Sequence, residues 1–268
     1  MPEIEVLLSG YTFNADQTRM GLSTVALIRG RTLTLVDVAH FGRRNMLVDA
    51  LKKRGIALDD IGRVVLTHAH WDHSQNTDLF PNAEIVIHEK ELEYTRNPRA
   101  GDFATARYFA ETLKGQKVRA VNKETELEQG VGLIETPGHT KGHVSLLVET
   151  AAGLVCLCGD AVSDAGTVLR GTPAIIFWSE DEARASVKKV LAATQVVYPG
   201  HDRPFRVNAT GTIDYLVEAP TIKFTGILDY KGSTFSVDVA LAENRGTTIH
   251  PEARSPSAAP VASQPAAH

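Results

Sequence analysis

An α/β fold class is predicted for this chain by three observations. Short runs rich in β-branched residues alternate with amphipathic stretches, without a fixed period or a visible repeat. The composition, 43% hydrophobic and 22% charged over 268 residues, is that of a globular protein able to bury a core. No apolar stretch approaches the roughly 18 residues needed to cross a bilayer.

The elements follow in order. "IEVLLSGYTF", "STVALIRG" and "RTLTLVDVA" read as strands separated by Gly or short polar turns. "GRRNMLVDALKKRG" (42–55) has apolar positions at helical spacing and ends on Gly, which predicts a helix. "RVVLTH" is a short buried strand, followed by a helix from about Ser74 and the strand "AEIVIHE". "EKELEYTRN" and "GDFATARYFAETLKG" are expected to be helical. Strands "LIETPG", "HVSLLVE" and "GLVCLCGD" come next, then the helix "SEDEARASVKKVLAAT" and the strand "VVYPGH". Cys156 and Cys158, the two cysteines, stand at i and i+2 of a strand, where a disulfide is geometrically poor, so they read as buried thiols.

After Arg206 the pattern changes. The expected organisation is a main domain over 1–210, a hairpin-like β extension over 211–242 with a Lys-Gly turn region, and a disordered tail over 243–268 rich in Pro, Ala and Ser. The extension carries Ile213, Tyr215, Ile222, Phe224, Ile227, Phe235 and Val237, enough apolar surface to pack on the domain or to build a homodimer. A net charge of −4 provides no overall basic field for nucleic acid. The N-terminal "MPEIEVLLSGYTF" lacks a basic region and a long apolar run, so a cytoplasmic location without membrane attachment is expected.

The chemistry concentrates in "VVLTHAHWDHSQN". It places His68, His70, Asp72 and His73 just past an apolar run. A loop at a strand end can aim several side chains into one space, and imidazole with carboxylate suits zinc, iron or manganese. His139, Asp160 and His201 each follow a β run and a Gly, in "IETPGHTKGH", "LVCLCGDA" and "VVYPGHD". Glycine allows a sharp turn and close approach. The repeated order of strand, Gly and ligand predicts convergence on one rim.

In this order and context, the seven residues resemble the complete ligand series of the metallo-β-lactamase fold superfamily, over roughly residues 4–207. The resemblance implies an αββα sandwich with a binuclear metal site at one edge. It implies that His68, His70 and His139 hold one divalent ion, that Asp72, His73 and His201 hold the other, and that Asp160 bridges them. Zinc is expected before iron or manganese. Asp72 and Asp160 are then the candidate catalytic groups, placed to hold a water and move its proton. Asp37 either orients a ligand histidine from behind or caps a turn. His143 reads as a hydrogen-bonded structural histidine, His40, His88, His250 and His268 show no partner pattern, and Trp71 flanks the pocket or packs under the loop.

The expected activity is hydrolysis of a small ester, thioester or lactone by a metal-activated water. The alternatives are a phosphodiesterase or nuclease, served by a basic groove from Arg43, Arg44, Lys141, Arg170 and Arg203, and a mono-iron sulfur dioxygenase using a subset of the ligands. "TPGHTKGHVSL" is similar to glyoxalase II-like and lactonase-like members. Acyl-homoserine lactonases often carry Tyr three positions after the bridging Asp, where this chain has Ser163. The glutathione-binding helical region of glyoxalase II and the basic insertion of large nucleases have no counterpart. Residues 94–118 and 164–180, the latter with Arg170, Phe177 and Trp178, are expected to face a small-molecule substrate.

Overall fold

A computed structural model describes residues 1–14, 17–227 and 234–239. Its strands are β1 (Glu3–Leu8), β2 (Tyr11–Asn14), β3 (Arg19–Leu22), β4 (Val25–Arg29), β5 (Leu33–Val36), β6 (Arg63–Val65), β7 (Glu84–His88), β8 (Lys117–Val121), β9 (Thr125–Glu128), β10 (Val131–Glu135), β11 (Val144–Thr150), β12 (Gly153–Gly159), β13 (Val196–Pro199), β14 (Phe205–Val207), β15 (Ile213–Tyr215), β16 (Ile222–Ile227) and β17 (Thr234–Val239). The helices are α1 (Arg44–Lys52), α2 (Trp71–Ser74), α3 (Glu89–Tyr94), α4 (Phe109–Thr112), α5 (Ala165–Arg170) and α6 (Glu180–Ala193).

Alternation along the strands builds the layers. In β4, Ala26 and Ile28 point one way and Leu27 the other, and all three are buried. Ala26 and Ile28 join Val36, Val65 and Val86 of one sheet against Leu133, Leu146 and Val155 of the other. Leu27, Leu35, Val64 and Ile85 instead pack outward on Leu47 and Leu51 of α1. Cys156, Cys158 and Val197 face Val187 and Val190 of α6. The result is an αββα sandwich. One sheet has the order β1-β4-β5-β6-β7-β8 and the other β15-β14-β13-β12-β11-β10-β9.

The central pairs set the active edge. β5, β6 and β7 run parallel, as do β12 and β13. Parallel neighbours deliver their C-terminal loops to the same edge, the usual place for a ligand in such sheets. Asp37 follows β5, the His68–His73 loop follows β6, Asp160 follows β12 and His201 follows β13.

Some elements differ from expectation. The "IEVLLSGYTF" run is two strands, because Gly10 lies so close to Gly200 and Thr24 that a side chain there would overlap them. The helix expected from Ser74 instead spans Trp71–Ser74, so Asp72 and His73 are themselves helical. Only Phe109–Thr112 of the 101–115 stretch is helical. Before it, Asp102 binds the N–H groups of Ala104 and Thr105 and holds the chain in a turn.

Chain packing divides the molecule into a unit from Met1 to Glu218, which includes β15 paired with β14, and a unit from Ala219 onward. The second unit contains the antiparallel pair β16 and β17. The turn expected at Lys231-Gly232 and the tail expected over 243–268, with His250 and His268, lie outside the described residues. Among the described residues no helix is long and apolar enough to cross a membrane.

Candidate metal centre

The loop after β6 is fixed by the strand beside it. Asp37, at a left-handed φ of 58°, accepts from Thr67 N–H at 2.8 Å, and Val38 N–H donates to the His73 carbonyl at 2.8 Å. A non-glycine residue in this region is sparsely populated and points to a constrained site. Glu91 of α3, fully buried, takes Ala69 N–H at 3.0 Å, Thr140 Oγ1–H at 2.8 Å and Gly142 N–H at 2.8 Å. One carboxylate thus ties the loop carrying His68 and His70 to the loop carrying His139.

The seven expected residues come together as two groups. The ligand atoms of His68, His70, His139 and Asp160 lie within 4.8 Å of one another, and so do those of Asp72, His73 and His201. His70 Nδ1 is 2.9 Å from His68 Nε2 and 3.0 Å from His139 Nε2. Asp160 stands between the groups. Its Oδ2 is 3.3 Å from His139 Nε2 and 3.2 Å from His201 Nε2, and its Oδ1 is 3.5 Å from His73 Nε2. Asp72 Oδ2 lies 3.5 Å from His201 Nε2.

The outward nitrogens determine what the inward ones can be. His139 Nδ1 donates to the Ile175 carbonyl at 2.8 Å, and His201 Nδ1 to the Leu22 carbonyl at 3.1 Å. A carbonyl only accepts, so each of these nitrogens carries the proton. His73 Nδ1 donates to Asp37 at 2.7 Å. Thr67 Oγ1 gives its proton to Asp37 and accepts from His68 Nδ1 at 3.0 Å. His70 Nε2 faces the Asp102 carboxylate at 3.6 Å. In the neutral rings, therefore, each Nε2 of His68, His73, His139 and His201, and Nδ1 of His70, turns a lone pair inward.

Electrostatics favour the neutral ring at His68 and His139, whereas at His73 and His201 the carboxylates favour a proton that an incoming cation would displace. Burial, with the fields of the neighbouring histidines, drives His68 well below its ordinary pKa. Burial takes His139 down to about 4 despite Asp160. Around His73 burial is outweighed by Asp37, Asp72 and Asp160, which push it up to about 10. Burial is likewise overcome at Asp160, which His201, His73 and His139 hold well below the usual carboxylate range.

These residues fit metal ions. Converging lone pairs repel unless a cation lies among them, and three imidazoles with carboxylates are a common donor set for divalent transition metals. Asp160 Oδ1 is buried with no hydrogen-bond partner among the described residues. A carboxylate oxygen is seldom left so, and a cation would satisfy it. The backbone is shaped to the same end. A Cβ on Gly200 would sit 2.0 Å from Asp160 Oδ1, and one on Gly159, at φ 49°, 2.7 Å from Thr67 Oγ1. The Gly before Asp160 and the Gly before His201 are therefore required by close approach.

A family model described as the metallo-beta-lactamase superfamily matches residues 18–201, a span that runs from the start of β3 to the last of the clustered histidines. The chain belongs to the metallo-β-lactamase superfamily. As a member it is a metallohydrolase of that fold, with a His/Asp cluster suited to metal. It is 32% identical over 222 residues to metallo-beta-lactamase domain-containing protein 1 of Xenopus laevis, covering 78% of this chain and 84% of the relative. It is 31% identical over 188 residues to an N-acyl homoserine lactonase of a Bacillus species, covering 68% and 70% of the two chains. A solved structure of a mutant of B. thuringiensis AiiA, with N-decanoyl-L-homoserine bound at the active site, superposes with TM-score 0.61 at 22% identity. It covers 75% of this chain and 92% of that one, a likeness of fold.

Other residues lie as follows. Asp37 contacts His73 directly, so of the two expectations the orienting one agrees with its geometry. His143 accepts from the Asp160 backbone N–H at 3.0 Å and bonds Thr136 Oγ1 at 2.9 Å, so both of its ring nitrogens have hydrogen-bond partners. His40 and His88 do have partners, as each accepts from the N–H two residues on, and His88 also meets Glu135 at 3.0 Å. The Trp71 ring stands edge-on to His40 at 5.1 Å. Sequence reasoning missed Glu91, Asp102 and Thr67. Of the three glutamates in "HEKELEY", Glu91 lies three positions before Tyr94 on one helix face, and that spacing was the available signal for it.

Proposed function

We propose that this protein is a binuclear hydrolase of small carboxylic esters, thioesters or lactones, with two divalent ions, zinc foremost. The observation that carries the reading is the position of Asp160, whose two oxygens lie against histidines of both groups. In this reading His68 Nε2, His70 Nδ1 and His139 Nε2 hold one ion, and Asp72, His73 Nε2 and His201 Nε2 the other, with Asp160 shared. When bound, such a pair lowers the pKa of water toward 7 and polarises the carbonyl under attack.

The chain's own groups do the rest. Asp72 and Asp160 orient the attacking water, and Asp72 accepts its proton and returns it to the leaving oxygen or sulfur. Asp37 keeps the His73 proton on Nδ1, so Nε2 stays free as a donor. Asp102 faces His70 Nε2 at 3.6 Å, beyond hydrogen-bond distance, so its field and not a hydrogen bond favours the proton there, with Tyr94 Oη–H and Thr105 Oγ1–H fixing its carboxylate at 2.9 and 2.7 Å.

Two features weigh against the alternatives. The second group, Asp72, His73 and His201, is complete, which supports two ions over one iron. The five cations considered for a basic groove are engaged elsewhere. Arg43 donates to the Ser9 and Ser23 carbonyls, Arg44 pairs with Asp78, Lys141 with Glu93 and Arg170 with Asp164, and Arg203 stacks on Tyr215. This supports a carboxylic substrate over a phosphodiester backbone. The lactonase relative makes a lactone the first substrate to try. Ser163 Oγ is taken up by Thr167 Oγ1 at 3.1 Å, so the lactone reading does not draw on a group at that position.

The test joins elemental analysis with a panel of lactones, thioesters and bis-aryl phosphodiesters. Two metals per chain and turnover of a carboxylic substrate are expected. One iron per chain with no second metal after full reconstitution, or turnover confined to phosphodiesters, would overturn the reading.

A further inference from the structure

Beside the first histidine group stands an apolar surface that the chemistry above does not use. Phe177 lays its ring edge-on to His70 at 5.0 Å and to His139 at 5.6 Å. Phe103 meets Phe177 at 5.3 Å and is 79% exposed. Next to them Ile175, whose carbonyl holds His139, is 52% exposed.

Both supporting segments are tied down. Phe177 N–H donates to the His139 carbonyl at 2.9 Å, and Trp178 N–H to the Gly138 carbonyl at 3.2 Å. On the other side Asp102 binds Ala104 N–H and Thr105 N–H, each at 2.9 Å, and so fixes the turn that displays Phe103. The two segments are joined, because Arg99 stacks on Trp178 at 4.1 Å and donates to its carbonyl. A loose loop could fold its aromatic residue away from water. Here the backbone holds Phe103 outward, in contact with a ring that touches two of the clustered imidazoles.

We propose that Phe103 and Phe177 form an aromatic wall that selects substrates with an apolar acyl or aryl group next to the scissile bond. The wall rests on the hydrolase reading and narrows its substrate class. A substrate carbonyl at the histidine group places its neighbouring carbons against Phe177 first and Phe103 next. Binding sites of this kind combine a few polar groups with apolar walls. A methylene laid against one side of such a wall gains part of its full burial value, about 1.8-fold in affinity each, so about tenfold accumulates over four.

The experiment is calorimetric titration of the zinc-loaded protein with acetate and with hexanoate, carboxylates that resemble the acid product. The native chain is compared with Phe103→Ser and with Leu154→Ser, an exposed residue at the end of β12 away from Asp160. Hexanoate is expected to bind about tenfold more tightly than acetate, a preference that falls to about twofold in Phe103→Ser and persists in Leu154→Ser. A parallel series of acetyl to hexanoyl esters should show the same gradient in kcat/KM. An equal affinity for the two acids, no hexanoate binding, or a full preference retained in Phe103→Ser overturns the wall. If no ester is hydrolysed, the hydrolase reading falls on its own, and the ratio of the two acids still decides the wall.

Discussion

Replacing Glu91 with glutamine tests whether one buried carboxylate keeps the two histidine loops in register. Oε2 accepts from Thr140 and Gly142 and Oε1 from Ala69. In Glu91→Gln the amide can keep its oxygen on the side with two donors, which sets its NH2 against Ala69 N–H. One hydrogen bond to a charged acceptor is lost, worth about 1.5–3 kcal/mol, and a buried amide is left unpaired. Part of this is offset. Burial pushes the Glu91 carboxyl above its usual range, so a neutral side chain is relieved of desolvation there. The balance is a loss of about 1.5 kcal/mol, or roughly 3–6 °C in Tm for a domain of this size. Glu91→Ala leaves all three donors without acceptors and should lose about 3–5 kcal/mol. Because Ala69 lies between His68 and His70, and Thr140 follows His139, zinc affinity should fall with stability in both variants. Thermal unfolding and a zinc competition titration measure the two quantities. The reasoning fails if Glu91→Gln melts within a degree of the native chain with native zinc affinity, or if the glutamine and alanine variants are alike.

Three other outcomes are expected. Asp160→Asn keeps the size but removes the shared charge, and turnover on the best panel substrate should drop about 100-fold or more, about 2.7 kcal/mol, with loss of one metal by elemental analysis. Asp37→Asn weakens the partner of His73 Nδ1, which should lower zinc affinity about 10–100-fold while the far-ultraviolet spectrum is retained. The third outcome concerns pH. In the metal-free cluster the surrounding carboxylates, against burial, hold His73 up to about 10, so below that pH an incoming cation must displace a proton. Zinc affinity should therefore rise with pH between 6 and 9, by up to about tenfold per unit for each proton released, whereas His139, at about 4, contributes nothing in that range. Zinc dissociation constants independent of pH would contradict this.

Much of the fold and of the candidate site was legible because the determinants are local. Period-two alternation marked the strands, and a histidine or aspartate after a strand and a glycine marked His139, Asp160 and His201. Legibility failed where a distant partner decides the local structure. Residues 101–115 contain good helix formers, yet Asp102 caps a turn and faces His70, so most of the stretch is not helical. The split at Gly10 depends on Gly200, far along the chain.

The sequence by itself determined the donor atoms available, the α/β layering and the edge at which the donors gather, since side-chain chemistry and hydrophobic period are written residue by residue. Tertiary structure alone decided which nitrogen of each imidazole faces inward. That choice depends on acceptors supplied from elsewhere, namely Asp37, Thr67 and Asp102 and the carbonyls of Leu22 and Ile175. It also decided that Asp160 touches both groups, because β12 and β13 run parallel and Gly200 lets the His201 loop close against its carboxylate. Such pairings form only when two sheets pack face to face, and no spacing within the chain encodes the distance across that packing.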